Sequence, residues 1–234
     1  MISLENVWFR YPNGTVALKN VSLEFRVGVS YVVGPNGSGK TTLLKVASCI
    51  YCPTRGRIMI DGVEFWKADR KKMLELRRRI VYVHEKPILF RAPILDNLVL
   101  PLEIRGVPRS EAIKKAKEIL KELDMMYIIK KRRRELSAGE AQMISLLRAL
   151  LVEPEYLLLD EPTNMLDMAN RRKIIDVLHR IRDRTTIVIA SHDLLLPLQL
   201  PGSIVSMLNG EVKERMSSEE FMGLVKKFIV HEHS

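Results

Sequence analysis

Apolar positions along this chain recur in two rhythms, and the alternation between them predicts its elements. Residues 2–9 and 16–25 alternate or cluster apolar side chains on either side of Tyr11-Pro12-Asn13-Gly14, the pattern of two strands joined by a turn. The β-branched run Tyr31-Val32-Val33 predicts a third strand, and Leu43-Leu44-Lys45-Val46-Ala47 a helix over 40–50. Residues 56–62 read as a short strand closed by an Asp-Gly turn, followed by a charged helix through Leu76 and a strand over 80–83. From 93 to 123 the rhythm is helical: Ile113, Ala116, Ile119, Leu120 and Leu123 share one face, while Lys114, Lys115, Lys117, Lys121 and Glu122 take the other. A helix from Ser137 to about Leu151, a fully apolar strand at Leu157-Leu158-Leu159, a helix carrying Ile174, Ile175, Val177, Leu178 and Ile181, and a strand over 186–190 follow. An Asn209-Gly210 hairpin turn and a terminal helix from about Ser218 complete the chain.

Strands alternating with helices predict an α/β fold, and the strand-free middle predicts a helical subdomain inserted into it. The expected division is an α/β core over 1–84 and 152–214, a helical subdomain over 85–151 and a C-terminal helix over 217–229. The chain's 234 residues suffice for one substantial core. No stretch has the roughly 18 uninterrupted apolar residues of a membrane span, because Pro197, Pro201 and Gly202 break the nearest one. The start lacks a basic segment followed by an apolar one, so a cytoplasmic protein is expected.

The formal net charge of +10 is compatible with nucleic acid, an anionic membrane surface or anionic ligands. Its basic runs, Arg77-Arg78-Arg79 and Lys130-Lys131-Arg132-Arg133-Arg134, lack interleaved aromatics, so specific nucleic-acid binding is not expected. Cys49 and Cys52 form a lone Cys-x-x-Cys with no second pair to complete a zinc site. They are expected as free thiols, buried or half-buried.

The clearest chemistry lies between the third strand and its helix, at Gly34-Pro35-Asn36-Gly37-Ser38-Gly39-Lys40-Thr41-Thr42. A triphosphate needs donors that approach from several sides, and backbone N–H groups do so most readily at glycine. The following helix turns its unpaired N–H groups and positive dipole end to the same place. Lys40 then reaches the β- and γ-phosphates, and the Thr41 hydroxyl suits Mg²⁺.

Other polar residues stand where apolar strands end, the edge at which open α/β sheets bind ligands. Asp160-Glu161 follows Leu157-Leu158-Leu159, and two carboxylates there are costly unless paired or bound to metal. Beside a phosphate loop, Asp160 serves Mg²⁺ and Glu161 polarises the attacking water. Ser191-His192-Asp193 and His84-Glu85 end two further strands. Ser137 with Glu140 three residues on is a capping box, and the same helix end is also an anion site; local sequence leaves both readings open. Tyr11 likewise either stacks on a base or covers the edge of the core.

Taken in order, Tyr11, the loop from Gly34 to Thr42, Glu85, Leu136-Ser137-Ala138-Gly139-Glu140, Asp160-Glu161, Leu166-Asp167 and His192 resemble the motifs of the ATP-binding cassette (ABC) ATPases, over essentially the whole chain. The resemblance implies a P-loop NTPase core with an N-terminal antiparallel β subdomain and an inserted α-helical subdomain. It implies ATP and Mg²⁺ as ligands and a head-to-tail dimer, with itself or a homologous subunit, sandwiching two nucleotides. Tyr11 would stack on adenine, Lys40 would hold phosphates, and Ser137 and Gly139 would contact the γ-phosphate bound by the other subunit. Glu161 would be the general base, His192 would position the γ-phosphate, Asp167 would organise the partner's site, and Thr41, Glu85 and Asp160 would serve the metal. Glu85 stands where the family commonly has Gln, Ala138 where it has Gly, Glu140 where it has Gln, and Met143 where Arg is frequent. The resemblance implies an ATP-hydrolysing subunit powering transmembrane permease subunits from the inner face of the membrane. A soluble relative, such as an iron–sulfur assembly ATPase, is the alternative.

Overall fold

The computed structural model describes residues 1–223, and the chain divides into two compact units. Of the described residues, the first takes Met1–Tyr82, Glu155–Glu161 and 178–223; the second takes Val83–Pro154 and Pro162–Val177.

Two sheets build the first unit. Strands β1 (Ile2–Arg10) and β2 (Val16–Phe25) pair antiparallel, and alternation interrupted by register shifts beside Asn6 and Asn20 (φ 49° and 52°) puts Ile2, Leu4, Val7, Leu18, Val21, Leu23 and Phe25 in the core. Strand β3 (Gly28–Val33) leads through the glycine loop into helix α1 (Lys40–Ala47), and β4 (Arg55–Ile60) and β5 (Val63–Glu64) complete the first sheet in the order β2-β1-β4-β5. Asp61 and Gly62 both adopt positive φ, 48° and 80°, the twist-matched two-residue turn expected of Asp-Gly. After helix α2 (Arg70–Arg79), strand β6 (Ile80–Val83) joins β7 (Tyr156–Asp160), β8 (Thr186–Ala190), β9 (Ser203–Leu208) and β10 (Glu211–Ser217) in a six-stranded sheet of order β10-β9-β3-β8-β7-β6. The β9–β10 hairpin turns at Asn209 and Gly210, again with positive φ (52° and 83°).

Register is what this sheet supplies to function. Strands β3, β8 and β7 run parallel, with Val32 opposite Ala190 and Ala190 opposite Asp160, so the three strands end on one line. The Ser191 N–H donates to the Val32 carbonyl at 3.2 Å and the Glu161 N–H to the Ala190 carbonyl at 2.9 Å, which carries the alignment one residue past each strand. All five residues of β7 and all five of β8 are buried, as strands covered on both faces require.

The second unit is mainly helical: α3 (Ile94–Ile104), α4 (Arg109–Glu122) and α5 (Ala138–Leu150). Ala112, Ala116 and Leu120 of α4 are buried, and the lysines of its opposite face are not. Asn97, fully buried in α3, accepts from the Phe90 N–H at 2.7 Å and donates to the carbonyls of Phe90, Ala92 and Pro93, pinning the segment that enters the helix. Helix α6 (Met168–Ile181) begins in the second unit and ends in the first, to which the short α7 (Leu196–Gln199) also belongs. The chain is helical again at 218–223, and the rest of the expected C-terminal helix lies outside the described residues.

Helix α1 ends sooner than the expected 40–50, because Cys49 turns left-handed (φ 58°). Its side chain is buried, and burial pushes the thiol up to about 12, with the nearby Arg77 charge opposing only in part. Cys52 is exposed, where the pattern suggested a buried or half-buried thiol. A thiol-specific disulfide reagent at pH 8 is therefore expected to modify Cys52 alone in the native protein and both cysteines after denaturation. Thiol release followed at 412 nm with peptide mapping checks this.

Candidate nucleotide-binding and catalytic site

At the first unit's sheet edge the glycine loop wraps the start of α1. Gly39, left-handed at φ 103°, precedes the helix and offers no side-chain cap, so the first-turn N–H groups face the loop interior. A Cβ at Gly34 would lie 2.3 Å from the Met207 carbonyl oxygen, and one at Gly39 would lie 2.6 Å from that of Ala17. These two glycines are thus required by the backbone packed behind the loop as well as by any ligand in front of it. Lys40 is buried and spans the loop's mouth, its Nζ donating to the carbonyls of Gly34 (2.7 Å) and Pro35 (3.1 Å). Ser38 is 2% exposed, and its Oγ has no protein partner. Pro35, Asn36 and Gly37 form the exposed crest.

The Tyr11 ring is half-buried, edge-on to Phe9 (centroids 5.0 Å apart) and Tyr51 (6.1 Å). Its hydroxyl shares a 2.9 Å hydrogen bond with that of Thr42, the last residue of the loop motif. The aromatic ring and the phosphate loop are therefore tied directly together.

Asp160 and Glu161 end β7 nearly buried, at 3% and 9% exposure. Their side chains are addressed from different directions. Thr41 Oγ1 donates to Asp160 Oδ1 at 3.1 Å and Tyr82 Oη donates to Oδ2 at 2.8 Å. Glu161 accepts at Oε1 from the His192 backbone N–H (3.1 Å), and at Oε2 from Ser191 Oγ (3.3 Å). His192 Nδ1 also lies 2.9 Å from Oε1. Against a carboxylate, Nδ1 is the protonated nitrogen. The Glu161 backbone is left-handed (φ 46°), a conformation costing about 1 kcal/mol or more for a non-glycine residue. Such strain persists where surrounding contacts over-determine it, and here five polar contacts hold the residue.

The second unit carries Glu85, Ser137, Gly139 and Asp167. Glu85 is exposed. Ser137 caps α5: its Oγ accepts from the Glu140 N–H at 3.0 Å, while Glu140 Oε2 accepts from the Ser137 N–H at 2.8 Å. The capping box is present, and it leaves the Ser137 hydroxyl proton unused. A Cβ at Gly139 would meet the Met165 carbonyl oxygen at 2.8 Å. Asp167 caps the start of α6 through Oδ1 and the Asn170 N–H (2.8 Å). Sequence reasoning passed over Tyr82, Asn97 and the Lys131–Glu140 pair (3.0 Å), and the only local signal among them was the unusual carboxylate at 140.

This arrangement is that of a P-loop nucleoside triphosphatase whose strand edge presents a buried carboxylate pair. A profile of the ABC transporter family matches residues 18–164. A putative ABC transporter ATP-binding protein of Pyrococcus abyssi is 32% identical over 96% of this chain and 86% of its own length. The energy-coupling factor transporter ATP-binding protein EcfA of Methanocaldococcus jannaschii is 31% identical over 94% and 81%. A dimeric ATP-binding cassette solved in a post-hydrolysis state with ADP and Pi superposes with a TM-score of 0.86 at 30% identity, covering 93% of this chain and 99% of that one. The chain belongs to the ABC transporter family, as an ATP-binding and ATP-hydrolysing cassette. Among the described residues no helix is long and apolar enough to cross a membrane.

The Glu140 cap has a pH signature. Burial acts to raise this carboxyl, but the Ser137 N–H, Lys131 and Tyr127 outweigh it and hold it below the ordinary carboxylate range. A depressed folded-state value stabilises the fold above the unfolded pKa, and that stabilisation is lost as pH falls through the folded value. The wild-type melting temperature is therefore expected to fall more steeply than that of Glu140→Gln as pH drops from 6 to 3, a comparison made by circular dichroism.

Proposed function

We propose that this chain is the motor subunit of a transporter, hydrolysing Mg·ATP in a head-to-tail dimer that drives separate membrane subunits from the inner face of the membrane. The observation that carries the reading is the pair of adjacent buried carboxylates at the end of β7, one bonded to Thr41 of the phosphate loop, the other to His192.

The residues present fit the ligands. The buried, unpartnered Ser38 hydroxyl and the uncapped N–H groups of α1 are donors without acceptors in a loop shaped for phosphate. Thr41 and Asp160 place hard oxygens side by side. Mg²⁺ takes one or two protein oxygens and fills its shell with phosphate and water. Bound there, Mg²⁺ neutralises charge on the phosphates.

The roles divide by position. Lys40 exchanges its carbonyl partners for β- and γ-phosphate oxygens, and the loop residues from Gly34 to Thr42 surround them. Tyr11, held by Thr42, supplies the face for adenine. Glu161 takes the proton of the water that attacks the γ-phosphorus as the bond to the β-phosphate oxygen breaks, leaving ADP and phosphate. Held at Nδ1 by Glu161, His192 turns Nε2 outward to the γ-phosphate. Ser137, with its free hydroxyl proton, and Gly139 face the nucleotide of the other subunit, and Asp167 organises that site from the start of α6. Glu85, exposed in the second unit, is the remaining residue that the family pattern assigns to the metal. Dimerisation is supported by the cassette solved as a dimer with ADP and Pi. The membrane partners are supported by CbiO1 of Clostridium perfringens, part of the transporter complex CbiONQ, which superposes with a TM-score of 0.81 at 28% identity, covering 99% of this chain and 93% of that one. These relatives favour a transporter over an iron–sulfur assembly ATPase.

Glu161→Gln keeps the shape of the side chain but cannot take the proton. It is expected to bind ATP, lose at least about a hundredfold in turnover, as general-base losses do, and accumulate as a dimer on gel filtration with ATP. A variant that stays monomeric and hydrolyses normally would sink the assignment.

A further inference from the structure

Tyr82 has no part in the reading above, yet its hydroxyl donates to the metal carboxylate. It lies in β6, next to β7 in the sheet, and donates to Asp160 Oδ2 at 2.8 Å while Thr41 holds Oδ1 at 3.1 Å. Asp160 is 3% exposed, so water does not compete freely for either oxygen. Facing a carboxylate, the tyrosine hydroxyl is the donor of the pair.

The terminal torsion of an aspartate is soft, with broad wells, and a carboxylate held at one oxygen swings about that contact. A donor on the second oxygen fixes the carboxylate plane. Phenylalanine would fill the same half-buried space without a hydroxyl needing a partner, so packing alone does not require tyrosine. Holding Oδ2 with a neutral donor also leaves the negative charge of Asp160 intact, whereas a cationic partner would oppose a metal.

We propose that Tyr82 is a positioning residue for the nucleotide's metal: its hydroxyl locks the Asp160 carboxylate so that the Oδ1 edge, beside Thr41, is presented to the Mg²⁺ of bound ATP. The inference rests on the reading of Asp160 as the metal carboxylate.

The test is a titration of Mn²⁺, followed by its electron paramagnetic resonance signal, into the full-length protein carrying a non-hydrolysable ATP analogue. Tyr82→Phe is expected to weaken Mn²⁺ binding about tenfold, the effect of losing one hydrogen bond to a charged group. Affinity for the metal-free analogue stays unchanged. In an Asp160→Asn background Tyr82→Phe has no further effect, because the two residues act as one unit. Should Tyr82→Phe fold poorly, p-aminophenylalanine at position 82 restores a donor to the same ring position and is expected to retain most of the affinity. Unchanged Mn²⁺ affinity in folded Tyr82→Phe, or an equal loss in the Asp160→Asn background, overturns the proposal. Nucleotide-dependent Mn²⁺ binding that survives Asp160→Asn at full strength overturns the metal reading of Asp160 itself, and the proposal with it.

Discussion

The structure depends on the parallel register of β3, β8 and β7. Because Val32, Ala190 and Asp160 lie level, the residues just beyond them emerge along one edge, and a strand-end residue from each is held by backbone hydrogen bonds to its neighbour. The glycine loop, the carboxylate pair and Ser191-His192 are brought together by this ladder without any dedicated scaffold. The site inherits its precision from the most buried strands in the molecule.

Against that rigid edge the two carboxylates are separated in role by one residue's change of direction. Asp160 still has strand geometry and meets hydroxyls from α1 and β6; Glu161, left-handed, meets the β8 end instead. Two adjacent charges therefore do not compete for one partner set. Each is desolvated and each is satisfied, the condition under which burial of a carboxylate is tolerable.

Much of this was legible because it is local. A strand, a glycine-rich turn and a helix in succession specify a phosphate loop, and Asp61-Gly62 and Asn209-Gly210 specify their own turns through positive φ. The capping box at Ser137 and Glu140 could be read from spacing alone, and the structure contains it. What could not be read depends on partners far away in the chain. Tyr82 looked like one more apolar strand residue because its meaning lies 78 positions on, at Asp160. The buried Asn97 is in the same class: a lone amide in a helical pattern carries no sign that it will hold three carbonyls. His192 was expected to position the γ-phosphate, and that its Nδ1 would meet Glu161 could not be read from the strand pattern. Periodicity locates the strand end but cannot say which of its neighbours a side chain will choose.

The central claim is that the carboxylate ending β7 is kept for chemistry at some cost to the fold. Comparing Asp160→Asn with the wild type, in thermal unfolding and in steady-state ATP turnover, tests it directly. Asparagine keeps the size and an acceptor oxygen while removing the buried charge, so the melting temperature is expected to hold or rise as turnover is lost. A fall of about 10 °C or more, several kcal/mol at this size, would show the carboxylate to be structural; retained turnover would show it to be dispensable.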